Sequence, residues 1–219
     1  MRLALPFASW CALLVGGFAY VGGVLCQRDN PLHSGNGDLT DLLVVLLLSP
    51  LFFFLGPRHN WQPLESSSLG ALRWNGLCYA LPFLLTLHWE FVGEALGVRF
   101  SLKAADLGAL DGRSVVALVT ACMTLALLVA CHVVWARRVG ILVPYLAALI
   151  GIPIVIGLVS LGLGDAYYLH VHHYCVGAFL FPFFRFPRVP SFIAQAVFLG
   201  LAVEGISRWG MDAVWYAAS

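Results

Sequence analysis

Charge is what this sequence has least of: Asp, Glu, Lys and Arg make up 11% of its 219 residues, less than half of the roughly 25% usual in soluble domains. The little there is almost cancels, 12 Lys/Arg against 11 Asp/Glu for a net charge of +1, so nothing draws the chain toward polyanions over a distance. Nucleic-acid binding is thereby excluded, as are a soluble enzyme and a disordered chain. Paired-cysteine motifs are missing too. Cys11, Cys26, Cys78, Cys122, Cys131 and Cys175 stand singly, mostly within apolar runs, with neither CxxC nor any other zinc spacing. Their plain reading is as small core hydrophobes. No internal repeat or inverted pair of halves, the mark of many secondary transporters, is visible.

What fills the space is hydrophobicity. Apolar residues reach 61% and the mean hydropathy is +0.89, where a soluble domain has about 45–50% apolar residues. The lipid bilayer is the partner that this composition implies. A membrane span takes roughly 20 largely apolar residues, so the chain has room for about six or seven. The apolar runs are Leu3–Cys26, Leu39–Leu55, Ala71–Phe91, Ser114–Trp135, Ile141–Leu163, Tyr167–Phe184 and Ser191–Ile206, each closed by polar, Gly or Pro residues. The expectation is an all-α polytopic transmembrane bundle, a single domain over residues 1–219 with seven helices, or six if one of the short or mixed runs, the second or the sixth, fails to cross. The first run is longer than the 7–15 residue apolar core of a signal peptide and is read as a retained span.

Counting Lys and Arg in alternate loops orients these spans. With the N-terminus inside, Arg2, Arg58, Arg73, Arg137, Arg138, Arg185 and Arg188 fall inside, opposed only by Glu65, while Arg28, Arg99, Lys103, Arg113 and Arg208 fall outside. This bias predicts a cytoplasmic N-terminus and an outer or lumenal C-terminus. Pro144, Pro153, Gly151, Gly157 and Gly162 in the fifth run predict a kink or close helix packing, and Gly16, Gly17, Gly22 and Gly23 in the first allow similar close contact. Ser191 reads as the N-cap of the last helix.

Ionisable groups at membrane depth are costly and usually face a bundle interior or a watery cavity. Here they are His88, Glu90, Glu94, His132, His170, His172, His173, Glu204 and Arg208, and all but His132 fall at the outer end. On a helix His170 and His173 lie about 60° apart, and Glu90 and Glu94 about 40° apart, so each pair can point one way. Neutral imidazoles with a carboxylate suit zinc or iron and leave a position open for water or substrate. In that reading His170, His173, Glu90 and His88 are metal ligands, and Glu94, His172 and Glu204 are catalytic acid/base or orienting groups. The plainer reading of the histidines is an interfacial cluster among Tyr167, Tyr168 and Tyr174. Haem held noncovalently between His88 and the later histidines is a further alternative. Glu204 and Arg208, at i and i+4, make either an ion pair closing the helix or a carboxylate that orients a histidine. His132 reads as a group at the inner interface.

The C-terminal stretch Leu169-His170-Val171-His172-His173-Tyr174, followed by Gly177, Pro182, Arg185, Ser191, Gln195, Gly200, Gly205-Ile206 and Arg208-Trp209-Gly210-Met211-Asp212, resembles the multi-pass membrane region of LCCL-domain proteins. The resemblance covers about a fifth of the chain. These 219 residues carry no cysteine-rich LCCL module, so only a membrane core is shared. The resemblance implies a helical membrane domain in which the histidine cluster, Arg208, Trp209 and Asp212 form one unit, and it transfers no catalytic role. Two functions from different classes remain: a membrane enzyme, with or without metal, acting on a lipid or lipid-linked substrate, and a noncatalytic subunit packed against other membrane subunits. A proton or metal-ion carrier fits less well, because the middles of the helices are nearly bare of polar groups.

Overall fold

The computed structural model describes residues 4–26, 37–61, 68–98, 110–169, 171–211 and 213–217. They are predominantly helical: α1 Ala4–Leu25, α2 Leu39–Leu55, α3 Ser68–Asn75, α4 Leu81–Thr86, α5 Trp89–Leu96, α6 Gly112–Arg138, α7 Leu142–Leu163, α8 His173–Leu180 and α9 Val189–Trp209, with two short strands, β1 Tyr167–Leu169 and β2 Trp215–Ala217. Among the described residues four helices, α1, α6, α7 and α9, are long and apolar enough to cross a membrane. Two of the expected seven spans take a different form.

The run Ala71–Phe91 is broken. Pro82 has no N–H and its ring crowds the carbonyl of residue 78. The turn before it, Gly76–Ala80, widens into a π-helix, which accommodates that crowding, and the helical path stops at Thr86 before resuming at Trp89. Tyr167–Phe184 is not one helix either. Tyr167, Tyr168 and Leu169 are extended and pair antiparallel with Ala217, Tyr216 and Trp215. Helix resumes only at His173 and tightens into a 3-10 turn at Phe181–Phe183 around Pro182. Eight residues of α-helix rise about 12 Å, well short of the roughly 30 Å hydrocarbon core.

Two compact units result: residues 1–89 with 173–212, and residues 90–172 with 213–219. In the first, α9 is the central post, with thirteen of its twenty-one residues buried. Trp10, Leu14, Phe18, Phe53, Tyr79, Phe83, Phe192, Leu199 and Val203 form the core around it, and Trp10 Nε1 donates to the Tyr79 hydroxyl (3.3 Å). Glycine permits these approaches. A Cβ on Gly177 of α8 would lie 2.5 Å from the Phe198 carbonyl oxygen, and one on Gly200 2.8 Å from that of Phe83. Asp38 and Asp41 start α2 with a reciprocal cap, each carboxylate accepting the other's backbone N–H at 3.0 and 3.1 Å.

The second unit holds the α6–α7 hairpin. Asp111 caps α6 through the Ser114 N–H (2.9 Å), and the reversal passes through Gly140 in the left-handed region, φ +77°. Thr120, Thr124 and Ser160 return their hydroxyls to carbonyls four residues back, which leaves no bare donor on an apolar surface. Of the kink or close packing expected of the fifth run, the packing is not found among the described residues: nothing lies within 4 Å of a Cβ built on Gly151, Gly157 or Gly162. Of the first run's glycines, Gly17 abuts Phe83 and Gly22 the Ser207 hydroxyl, while Gly16 and Gly23 face open space.

Candidate functional site

The polar centre of the first unit is built on the last two turns of α9. Glu204 is fully buried, and both carboxylate oxygens are engaged: Oε1 accepts from Arg208 Nε at 2.8 Å, and Oε2 lies 3.1 Å from His173 Nε2. The i, i+4 spacing lets the guanidinium fold back along its own helix, where it is 9% exposed, while His173 reaches Glu204 from the first residue of α8. What brings α8 this close is Gly205, where a Cβ would stand 2.6 Å from His173 Nε2. Two residues on, the Ser207 hydroxyl donates to the Phe18 carbonyl (2.7 Å) and fastens α9 to α1.

A carboxylate without solvent needs a compensating charge, and Arg208 supplies it. Because a carboxylate only accepts, His173 donates its Nε2–H to Glu204, and its side chain is 33% exposed. A buried carboxylate thus orients a partly exposed imidazole.

The other candidates are distributed differently. His88 uses both ring nitrogens: Nδ1–H donates to the Leu84 carbonyl (3.0 Å), and Nε2 lies 3.1 Å from the Tyr20 hydroxyl. Glu90 and Glu94 lie on α5 of the second unit, Glu90 partly buried and Glu94 exposed. His172 belongs to that unit too, its Nε2 3.1 Å from the Tyr216 hydroxyl, beside the stacked rings of Tyr168 and Tyr216. His170 lies outside the described residues, as does Asp212. Among the described residues no three His, Cys, Asp or Glu side chains gather as a metal site. His132 is fully buried, its Nδ1 2.6 Å from the Leu128 carbonyl and its ring against Trp135. Ser191 is not the N-cap of α9, a position held by Arg188; its hydroxyl accepts the Phe186 N–H at 3.0 Å.

A second polar group went unnoticed in the sequence. Asn60 and Gln195, both fully buried, donate from their amide nitrogens to one acceptor, the Phe184 carbonyl, at 2.6 and 2.9 Å. Among the described residues neither amide oxygen has a hydrogen-bond partner. The only sequence signal was a glutamine amid the apolar residues of Phe192–Phe198. No protein-family model, curated protein or solved structure matches this chain.

Proposed function

We propose that this is a multi-pass helical membrane protein, N-terminus cytoplasmic, with His173 as the acid–base residue of an enzyme acting on a lipid or lipid-linked substrate at the outer membrane face. The observation that carries the reading is the fully buried Glu204 bridging Arg208 and a partly exposed histidine. An ionisable group at membrane depth is conspicuous in a chain so poor in charge. In the proposed mechanism Glu204 fixes the imidazole, Arg208 balances the carboxylate, and His173 Nδ1 takes a proton from the substrate or from water and returns it to the leaving group. The partial resemblance to the membrane region of LCCL-domain proteins spans α8 and the end of α9, which supports treating them as one unit.

A zinc or iron version of the site would place the metal on His173 Nδ1 with Glu204 as the orienting carboxylate. It needs further ligands, and the described residues bring no three together, so acid–base chemistry is preferred. A noncatalytic membrane subunit is the second reading. It is favoured by α6 and α7, whose apolar surfaces are almost wholly uncovered within this chain.

The test compares lipid extracts, by mass spectrometry, from membranes holding equal amounts of folded wild-type protein and His173→Gln. A lipid species consumed or produced only by the wild type is expected. Identical extracts overturn the enzymatic reading in favour of the subunit. Stoichiometric zinc or iron in the purified protein, lost in His173→Ala, would move the chemistry onto the metal.

A further inference from the structure

The first unit brings basic side chains together at the N-terminal end of α9, away from Glu204. The turn Pro57–His59 follows α2, and residues 184–188 lead into α9. These segments are separated by more than a hundred residues of sequence, yet buried groups lock them together. Asn60 and Gln195 converge on the Phe184 carbonyl, and Ser191 holds the Phe186 N–H. Both amides keep this arrangement although their oxygens find no partner among the described residues. The lock forces positive charge together: the Arg185 guanidinium bonds His59 Nε2, and Arg58 stands over the Phe54 ring, 5.2 Å from its centroid. Arg58 opposes the charge on both Arg185 and His59. Among the described residues no carboxylate pairs with Arg58 or Arg185; Glu65 lies outside them.

Arginines serving only as topological signals have no need of such a scaffold. Like charges held side by side by a buried hydrogen-bond lock are what an anion site requires, and two guanidinium forks match the oxygens of one phosphate. Phe54, over which Arg58 stands, is exposed, as are Leu51 and Leu55 of the same last turns of α2, and these side chains offer apolar surface. We propose that Arg58, His59 and Arg185 bind a phosphate group, the headgroup of an anionic lipid or free phosphate.

The experiment measures the thermal unfolding midpoint of the full chain in uncharged detergent during titration with dioctanoyl phosphatidate, inorganic phosphate or dioctanoylglycerol. A ligand that binds only the folded state raises that midpoint. Phosphatidate is expected to stabilise the wild type and dioctanoylglycerol is not. Arg58→Gln and Arg185→Gln should each weaken phosphatidate binding about tenfold, while Arg73→Gln, an exposed arginine of α3, should leave it unchanged. These glutamines relieve a repulsion, so folding is retained. Stabilisation by phosphatidate alone identifies a lipid headgroup, and stabilisation by both phosphate probes a site for free phosphate. The proposal is overturned if neither probe stabilises the protein, if dioctanoylglycerol acts as strongly as phosphatidate, or if Arg73→Gln weakens binding as much as the other two.

Discussion

Helices α9 and α7 are nearly equal in length, and α7 is the more apolar, yet two-thirds of the most apolar stretch of α9 is buried within the protein and none of that of α7 is. In water the more hydrophobic helix would be the one inside. Here the order is reversed, as expected where the surroundings are as apolar as the helix. Protein contacts are then made by small residues and by polar groups that must find partners. Helix α9 has both, in Gly200 and Gly205 and in Gln195, Glu204 and Ser207, whereas among the described residues a Cβ on any glycine of α7 would meet nothing within 4 Å.

Substitutions can break this comparison, beginning with the largest effect. Arg208→Leu strands a buried carboxylate, and chemical denaturation in detergent should show a loss of about 3–5 kcal/mol; a change under 1 kcal/mol would mean that Glu204 does not depend on its partner. Next, Gly177→Ala places a methyl 2.5 Å from the Phe198 carbonyl oxygen and is expected to cost about 1–3 kcal/mol. The matching change Gly157→Ala in α7 should be neutral or stabilising by up to about 1 kcal/mol. Equal effects at the two glycines would erase the distinction between the helices.

Smaller still, Ser160→Ala removes the acceptor of the Trp215 Nε1 hydrogen bond (2.8 Å). It should cost about 1 kcal/mol, with an accompanying change in tryptophan emission. The smallest effect is one of pH. Burial, with Arg185 and Arg58 close by, holds the His59 imidazole below its ordinary value of 6.5. The unfolded chain therefore takes up the proton first, so the contribution of His59 to stability is complete above pH 6.5 and is lost as the pH falls toward the folded-state value. Unfolding midpoints recorded from pH 7.5 down to 5 should drop less steeply for His59→Gln than for the wild type.

The long apolar helices were legible because their signal is additive: a long apolar run outweighs any local irregularity, and α1, α2, α6, α7 and α9 lie close to their expected limits. The segments that failed did so for local reasons, Pro82 opening the helix behind it and Tyr167–Leu169 finding a strand partner almost fifty residues later. The Glu204–Arg208 pair was readable from its spacing alone, since i, i+4 fixes the geometry within one helix. That His173 would be the histidine to join it was not, because that depends on how closely Gly205 lets α8 approach. Asn60 gave no signal. A single asparagine in a turn carries no period, and its role appears only when Phe184 is folded against it.

The bond from Ser207 to the Phe18 carbonyl joins residues 189 positions apart, and this separation bears on assembly. During synthesis α1 to α4 leave the ribosome long before α9, the helix against which their inner faces pack. Until then Phe83, Tyr79 and the Phe18 carbonyl await a partner not yet made, and contacts of such high order form slowly. Closure of the amino-terminal helices is thus deferred to the last helix, and a chain stalled before residue 189 would hold them in the membrane without their core.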